Sequence, residues 1–335
     1  MGLMGKKYLK IGNAILGPVL FVWLSFAIYR QIEMQPDLKQ SWQSIKSNLQ
    51  GNNLWFFFLL LLGMCVNVFL DAARWRFLVK KMEVINWPNA FKAVLTGHAV
   101  GISTINHLGD PLAKAAYLED GNRIRGALMG FLGFISHLMV VSLLGILSLL
   151  YMRFFLHTNM PVINEIPHFV VDSIIYALTA GWLLFALFYF RVSGVVRWLE
   201  QIKWVRPYQY FLEKMESYTM LELNQLLYYS FARFAVMGLQ FILAFYLFDV
   251  FIHPWYVFVL LAAMMFSLTL VPSMALADIG IRGKVSLYLF GLYSANSLGI
   301  LSAVGIMWLV NVILPAVLGT VLILSIKITR QKKAT

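Results

Sequence analysis

Uninterrupted apolar stretches of about twenty residues constrain this chain most, because a helix rising 1.5 Å per residue needs that length to cross a hydrocarbon core of about 30 Å. Such windows run through residues 11–29, 54–70, 127–151, 169–190, 226–247 and 301–326, and shorter ones lie at 93–107, 255–271 and 285–298. Hydrophobic residues make up 60% of the chain and charged ones 13%, far from the profile of a soluble domain. The expectation is an all-α integral membrane protein forming one polytopic domain over residues 1–335, with about 6 to 8 transmembrane helices. Residues 11–29 read as a retained first span, since no small-residue cleavage pattern follows before Gln31. Cys65 is the lone cysteine, so disulfides within the chain are excluded.

The positions of Lys and Arg predict orientation, because basic loops stay cytoplasmic. Lys6, Lys7 and Lys10 precede the first window, and Arg74, Arg76, Lys80, Lys81 and Lys92 follow the second. Arg123 and Arg125 precede the third, Arg191, Arg197, Lys203, Arg206 and Lys214 follow the fourth, and Lys327, Arg330, Lys332 and Lys333 close the chain. The intervening loops hold only Arg30, Lys39, Lys46 and Arg153. This asymmetry predicts both termini in the cytoplasm and a multi-pass protein of the cytoplasmic (inner) membrane. The net charge of +12 is then a topology signal whose natural partners are anionic phospholipid headgroups. Nucleic acid is not expected, because no compact basic domain exists to carry it. Leu38, Trp42, Ile45 and Leu49, and a second stripe from Val195 to about Met220, have the spacing of helices lying on the membrane surface.

Two regions break the simple pattern. Residues 93–107 are apolar although both flanks are basic, so segment 93–118 should enter the bilayer and return. In its returning half Asp110 and Pro111 have the residue types of an N-cap and a first helical position. Broken backbone at depth needs protein or a water-filled cavity to satisfy it. Residues 255–298 repeat the arrangement around "VPSMALADIGIRGK", either as two short spans or as a second re-entrant hairpin. Asp110-x-x-x-Lys114 and Asp278-x-x-x-Arg282 recur about half a chain apart, as paired interrupted segments of an inverted repeat do.

The stretch "VPSMALADIGIRGKVSLYLFG" resembles the C-terminal signature of the lysylphosphatidylglycerol synthase transmembrane-region, or flippase-like, family. "ARWRFLV" (Ala73 to Val79) and "INHLGDPLAKAAYL" (Ile105 to Leu118) are similar to its N-terminal signatures, in the same order. The resemblance implies a membrane region that moves aminoacylated phospholipid between leaflets. The chain ends at Thr335, straight after its last window, so the expectation is that the family's soluble aminoacyl transferase half is absent. Lys114 stands where the family usually has another basic residue, and the neighbourhood of Ser136 and His137 replaces a usual Glu-Arg pair.

Ionisable residues at bilayer depth are costly and persist on pathways or in pairs. Asp278, Arg282 and Lys284, with Asp110, Lys114, Arg233 and Asn106, are therefore the expected substrate-binding set. On a helix Asp278 and Arg282 share a face, with Gly280 permitting close approach of another backbone. Arg282 is suited to hold a lipid phosphate bidentately, with Asp278 orienting it or engaging a cationic headgroup; the alternative is an ion pair closing a broken helix. Arg233 is placed either to snorkel or to join the site. Asp71 and Arg74 read as interfacial, ending the second span. His98, His107 and His137 read as hydrogen-bonded packing residues, and no metal is expected without HExxH or Cys-rich spacing.

No cofactor is implied, and no Gly-x-x-x-x-Gly-Lys-Ser/Thr loop for ATP is present. The function expected is a lipid flippase-like transporter with no catalytic residues of its own, working by alternating access. Its cargo would be an anionic or aminoacylated phospholipid, or a polyprenyl-linked lipid. Two alternatives stand beside it: a membrane-embedded lipid-modifying transferase using Asp110 or Asp278 as base, or an assembly partner of a lipid or glycan synthase. A serine hydrolase built on Ser103 with His98 or His107 lacks a Gly-x-Ser-x-Gly elbow. A separate lipid-modifying enzyme is a natural partner, and oligomers are compatible with the sequence.

Overall fold

The computed structural model describes residues 54–104, 107–155, 168–192, 194, 196, 198, 217–271 and 275–332. The side chains at 168, 275–279 and 324–332 lie outside that description. Helices are α1 (Leu54–Val79), α2 (Trp87–Gly101), α3 (Gly109–Ala115), α4 (Arg123–Phe155), α5 (His168–Phe190) and α6 (Met220–Leu247). They continue as α7 (Pro254–Leu270), α8 (Ala275–Phe290), α9 (Ser297–Trp308) and α10 (Leu314–Lys332), with a π-helical turn at Leu309–Ile313 between the last two. No strand occurs among the described residues.

Among the described residues, five helical segments are long and apolar enough to cross a membrane: Leu54–Val79, Asp120–Phe155, Phe169–Phe190, Met220–Leu247 and Ser297–Ile323. They coincide with five of the six long windows. The sixth, residues 11–29, lies outside the described residues, as do the surface helix around Leu38–Leu49 and most of the one from Val195. The chain is a multi-pass all-α membrane protein.

Local sequence sets the helix ends. Asn86 accepts from the Asn89 amide at 2.9 Å and Pro88 sits in the first turn of α2, the positions where a cap and a proline cost least. A capping box between Thr219 and Glu222 opens α6. Asn296 caps α9 by accepting from Gly299 N at 2.8 Å, while its Nδ2 donates to Phe248 O at 3.0 Å and ties α9 to the end of α6.

Helices α1, α4 and α6 pack on one another at the centre. Gln240 of α6, 1% exposed, donates to Leu60 O at 2.8 Å and accepts from Asn67 at 3.1 Å, so even the polar groups between α1 and α6 are paired. Helices α2 and α3 form a hairpin wedged into this core, α2 against α1 and α10 and α3 against α4. Between them His107 has φ of 59°, a left-handed conformation that few non-glycine residues adopt. Gly130 lets α3 close on α4, since a Cβ there would stand 2.7 Å from Pro111 Cβ. Peripheral α5 leans on α4 through Trp182 Nε1, 3.1 Å from Met139 O, and leaves Leu183, Leu184, Leu187 and Phe188 exposed.

Three expectations are corrected. Helix α3 begins at Gly109, with Leu108 in the cap position and no side-chain cap bond; Asp110 lies inside the helix because its carboxylate pairs with Lys114 one turn on. The stretch 285–298 is not one apolar segment: α8 ends at Phe290, a turn follows, and Asn296 starts α9. A Cβ on Gly280 would meet nothing within 4 Å among the described residues, whereas one on Gly283 would stand 3.4 Å from Leu301 Cδ2. Helix α8 packs on α7, with Ser286 Oγ 2.9 Å from Met264 Sδ.

Candidate functional site: a buried ion cluster at the first hairpin

The strongest concentration of charge among the described residues centres on Asp71 of α1. Its Oδ1 lies 2.7 Å from Arg74 and 3.2 Å from Arg233 of α6. Its Oδ2 lies 2.9 Å from Lys114 of α3 and 3.9 Å from His98 of α2. Lys114 Nζ also reaches Asp110 Oδ2 at 2.7 Å, so one ammonium joins two carboxylates. Arg74 donates onward to Gly133 O at 3.3 Å and Ser230 Oγ at 3.4 Å. Five helices therefore contribute to one polar centre.

The cluster has a closed floor and a more open rim. Side chains of Asp71, Lys114 and Arg74 are 3%, 4% and 8% exposed, whereas those of Asp110, His98 and Arg233 are 24%, 22% and 21% exposed. Three cations meet two carboxylates, leaving one positive charge in excess when His98 is neutral. On the rim side, Arg233 Nε and the nearby His137 Nδ1 are buried with no hydrogen-bond partner among the described residues. Buried donors are normally paired, so an unpaired guanidinium edge beside excess positive charge is suited to accept an anion.

Gly97 makes the hairpin half of the centre possible. A Cβ at Gly97 would collide with Asp110 Oδ1 and stand 3.0 Å from Lys114 Cε, so α2 must present a bare backbone where the pair is seated.

Of the residues expected from sequence, Asp110, Lys114 and Arg233 are brought together here, and Arg233 turns inward to Asp71. Arg282 is half-buried and Lys284 exposed on α8, and neither is among the groups within 4 Å of Asp71. Asp278 also lies on α8, with its side chain outside the description, and Asn106 lies outside the described residues. Asp71 and Arg74, read from sequence as ending the second span, are 2% and 7% exposed and form the pivot of the cluster. A hydropathy window ends at an aspartate whether or not it is paired, and that hid them; the legible signal was the Asp-x-x-Arg spacing, which puts both charges on one helical face.

Histidines 98 and 137 border this centre. Ser103 Oγ is buried with no hydrogen-bond partner among the described residues. No group of three or more His, Cys, Asp or Glu among the described residues is placed to hold a metal ion.

The chain matches no protein-family model and no curated protein.

Proposed function

We propose that this protein moves a lipid with an anionic or aminoacylated headgroup between leaflets, and that the headgroup is held at the Asp71–Lys114–Asp110–Arg233 cluster. Polyprenyl-linked lipids carry the same phosphate chemistry. The observation that supports the reading is the unpartnered Arg233 Nε at the rim of a net positive cluster held between helices long and apolar enough to cross a membrane. Charges so placed are expensive unless they serve a pathway or a pair, and here the pairing is complete on the floor but not on the rim. A phosphate meets Arg233 from the rim, and Asp110 offers a carboxylate to any ammonium on an aminoacylated headgroup. Acyl chains stay in the bilayer while the headgroup crosses.

The resemblance to the flippase-like family agrees with this role, and Arg282 of α8 is its second-hairpin contact. The basic loops support a cytoplasmic-membrane location with both termini inside. The test is a vesicle assay on purified protein with fluorescent phosphatidylglycerol and lysyl-phosphatidylglycerol in one leaflet. Protein-dependent movement without covalent change supports transport; chemically altered lipid favours the transferase, and neither favours an assembly partner.

A further inference from the structure

The outward face of α1 carries a second concentration of cations that the ion cluster does not use. Residues Ala73, Arg76 and Phe77, with Lys80 just past the helix end, form a stripe on the side of α1 opposite Asp71, Trp75 and Leu78, because successive residues turn by about 100°. With Val84, Trp87 and Tyr229 they line an open crevice of about 260 Å³ between α1, the following turn and α6.

Arg76 is held ready for a ligand. Its Nε donates to Ile85 O at 2.9 Å and its guanidinium lies 4.2 Å from the centre of the Trp87 ring. Its two terminal nitrogens make no hydrogen bond to a described residue. A planar fork fixed on its back edge and stacked on its face loses little freedom when it binds two oxygens of a phosphate. Lys80 adds charge: its Nζ is 3.9 Å from the Phe77 ring centre and 3.5 Å from Glu222 Oε1, a carboxylate it shares with Lys81. Among the described residues no carboxylate lines the crevice.

The surroundings favour an amphiphile over a soluble anion. Phe69 stacks on Trp87 with ring centres 5.1 Å apart, and Phe91 meets Trp87 at a tilt with ring centres 6.0 Å apart. Phe69 is 47% and Val84 84% exposed. Phe69 lies seven residues before Arg76, about 10 Å along the helix, so a phosphate on Arg76 places the attached chains on the aromatic strip. Trp and Tyr commonly sit at this headgroup level.

We infer that this crevice is a binding site for the phosphate of an anionic membrane phospholipid, separate from the buried cluster and independent of whether lipid is transported there. Native mass spectrometry of the purified full chain in detergent tests it, titrated with phosphatidylglycerol, phosphatidylcholine or soluble glycerol phosphate. The wild type is expected to favour phosphatidylglycerol over phosphatidylcholine about tenfold, equal to about 1.4 kcal/mol. Arg76→Gln removes that preference, and Lys80→Gln, which leaves the Arg76–Ile85 bond in place, lowers it by about threefold. Glycerol phosphate at matched concentration fails to displace the lipid. Equal preference in both variants, no preference in the wild type, or displacement by glycerol phosphate overturns the inference.

Discussion

Asp71 of α1 and Lys114 of α3 stand 2.9 Å apart across a sequence separation of 43 residues, both almost wholly buried. Lys114 also meets Asp110, so the short hairpin helix is fastened to the first described span by a charge instead of by apolar packing alone. The carboxylate of Asp71 serves Arg74 and Arg233 as well, which makes it the member whose loss strands the most charge.

Asp71→Ala is therefore expected to destabilise the protein by about 3 to 5 kcal/mol, because buried cations lose their counter-ion. Thermal unfolding in detergent measures it. Neutralising both partners, as in Asp71→Asn with Lys114→Met, is expected to recover part of the loss. An unchanged midpoint for Asp71→Ala contradicts the central role of this carboxylate.

Gly97→Ala should push Asp110 and Lys114 off α2, since the added methyl meets both side chains. Lipid movement is expected to fall at least tenfold, together with a lower unfolding temperature. Gly181→Ala, where a Cβ meets nothing within 4 Å among the described residues, is the matched control and should gain up to about 1 kcal/mol from better helix propensity. If the two variants behave alike, the seat at Gly97 is not a constraint.

Transport separates the charges by role. Arg233→Gln is expected to abolish lipid movement in a folded protein, and Arg233→Lys to retain part of it, because charge survives while the fork is lost. Arg282→Ala on α8 is expected to abolish movement if Arg282 is the second contact proposed above, whereas Lys284→Ala, with its exposed side chain, does little. Normal rates with Arg233→Gln would remove the proposed headgroup site.

The charge asymmetry of the loops predicts that reporters fused after Thr335 are active on the cytoplasmic side only. Activity confined to the outer side reverses the assigned orientation.

Tyr218, just before α6, is buried and its hydroxyl donates to Leu78 O. Burial, and then the Glu222 carboxylate, push its pKa up from the ordinary 10.0. The folded state thus keeps a proton that the unfolded state gives up. This contribution is fully present below pH 10 and is lost as the pH rises towards the folded value. Tyr218→Phe should cost about 1 kcal/mol at neutral pH, for the lost hydrogen bond, and should show a shallower alkaline decline than the wild type. Parallel declines in chemical denaturation from pH 8 to 11 would discount Tyr218.

The spans were legible because hydrophobic length is a local property. Residues 127–151 or 226–247 need no partner to declare that they cross a bilayer, and helices α4 and α6 cover them. The interruption before α3 was legible for the same reason, although its cap was not: whether Asp110 turns to its own backbone or to Lys114 depends on what α2 leaves open at Gly97. Arg233 shows the limit most clearly. Its sequence neighbourhood allowed both a snorkelling and an inward rotamer, and the choice was made by Asp71 on another helix, 3.2 Å away. Sequence by itself determined the apolar solvent and the long helices. Only the tertiary structure decided which charges meet, because Coulomb attraction in a low-dielectric interior depends on distances of a few ångströms that are set by helix packing, not by spacing along the chain.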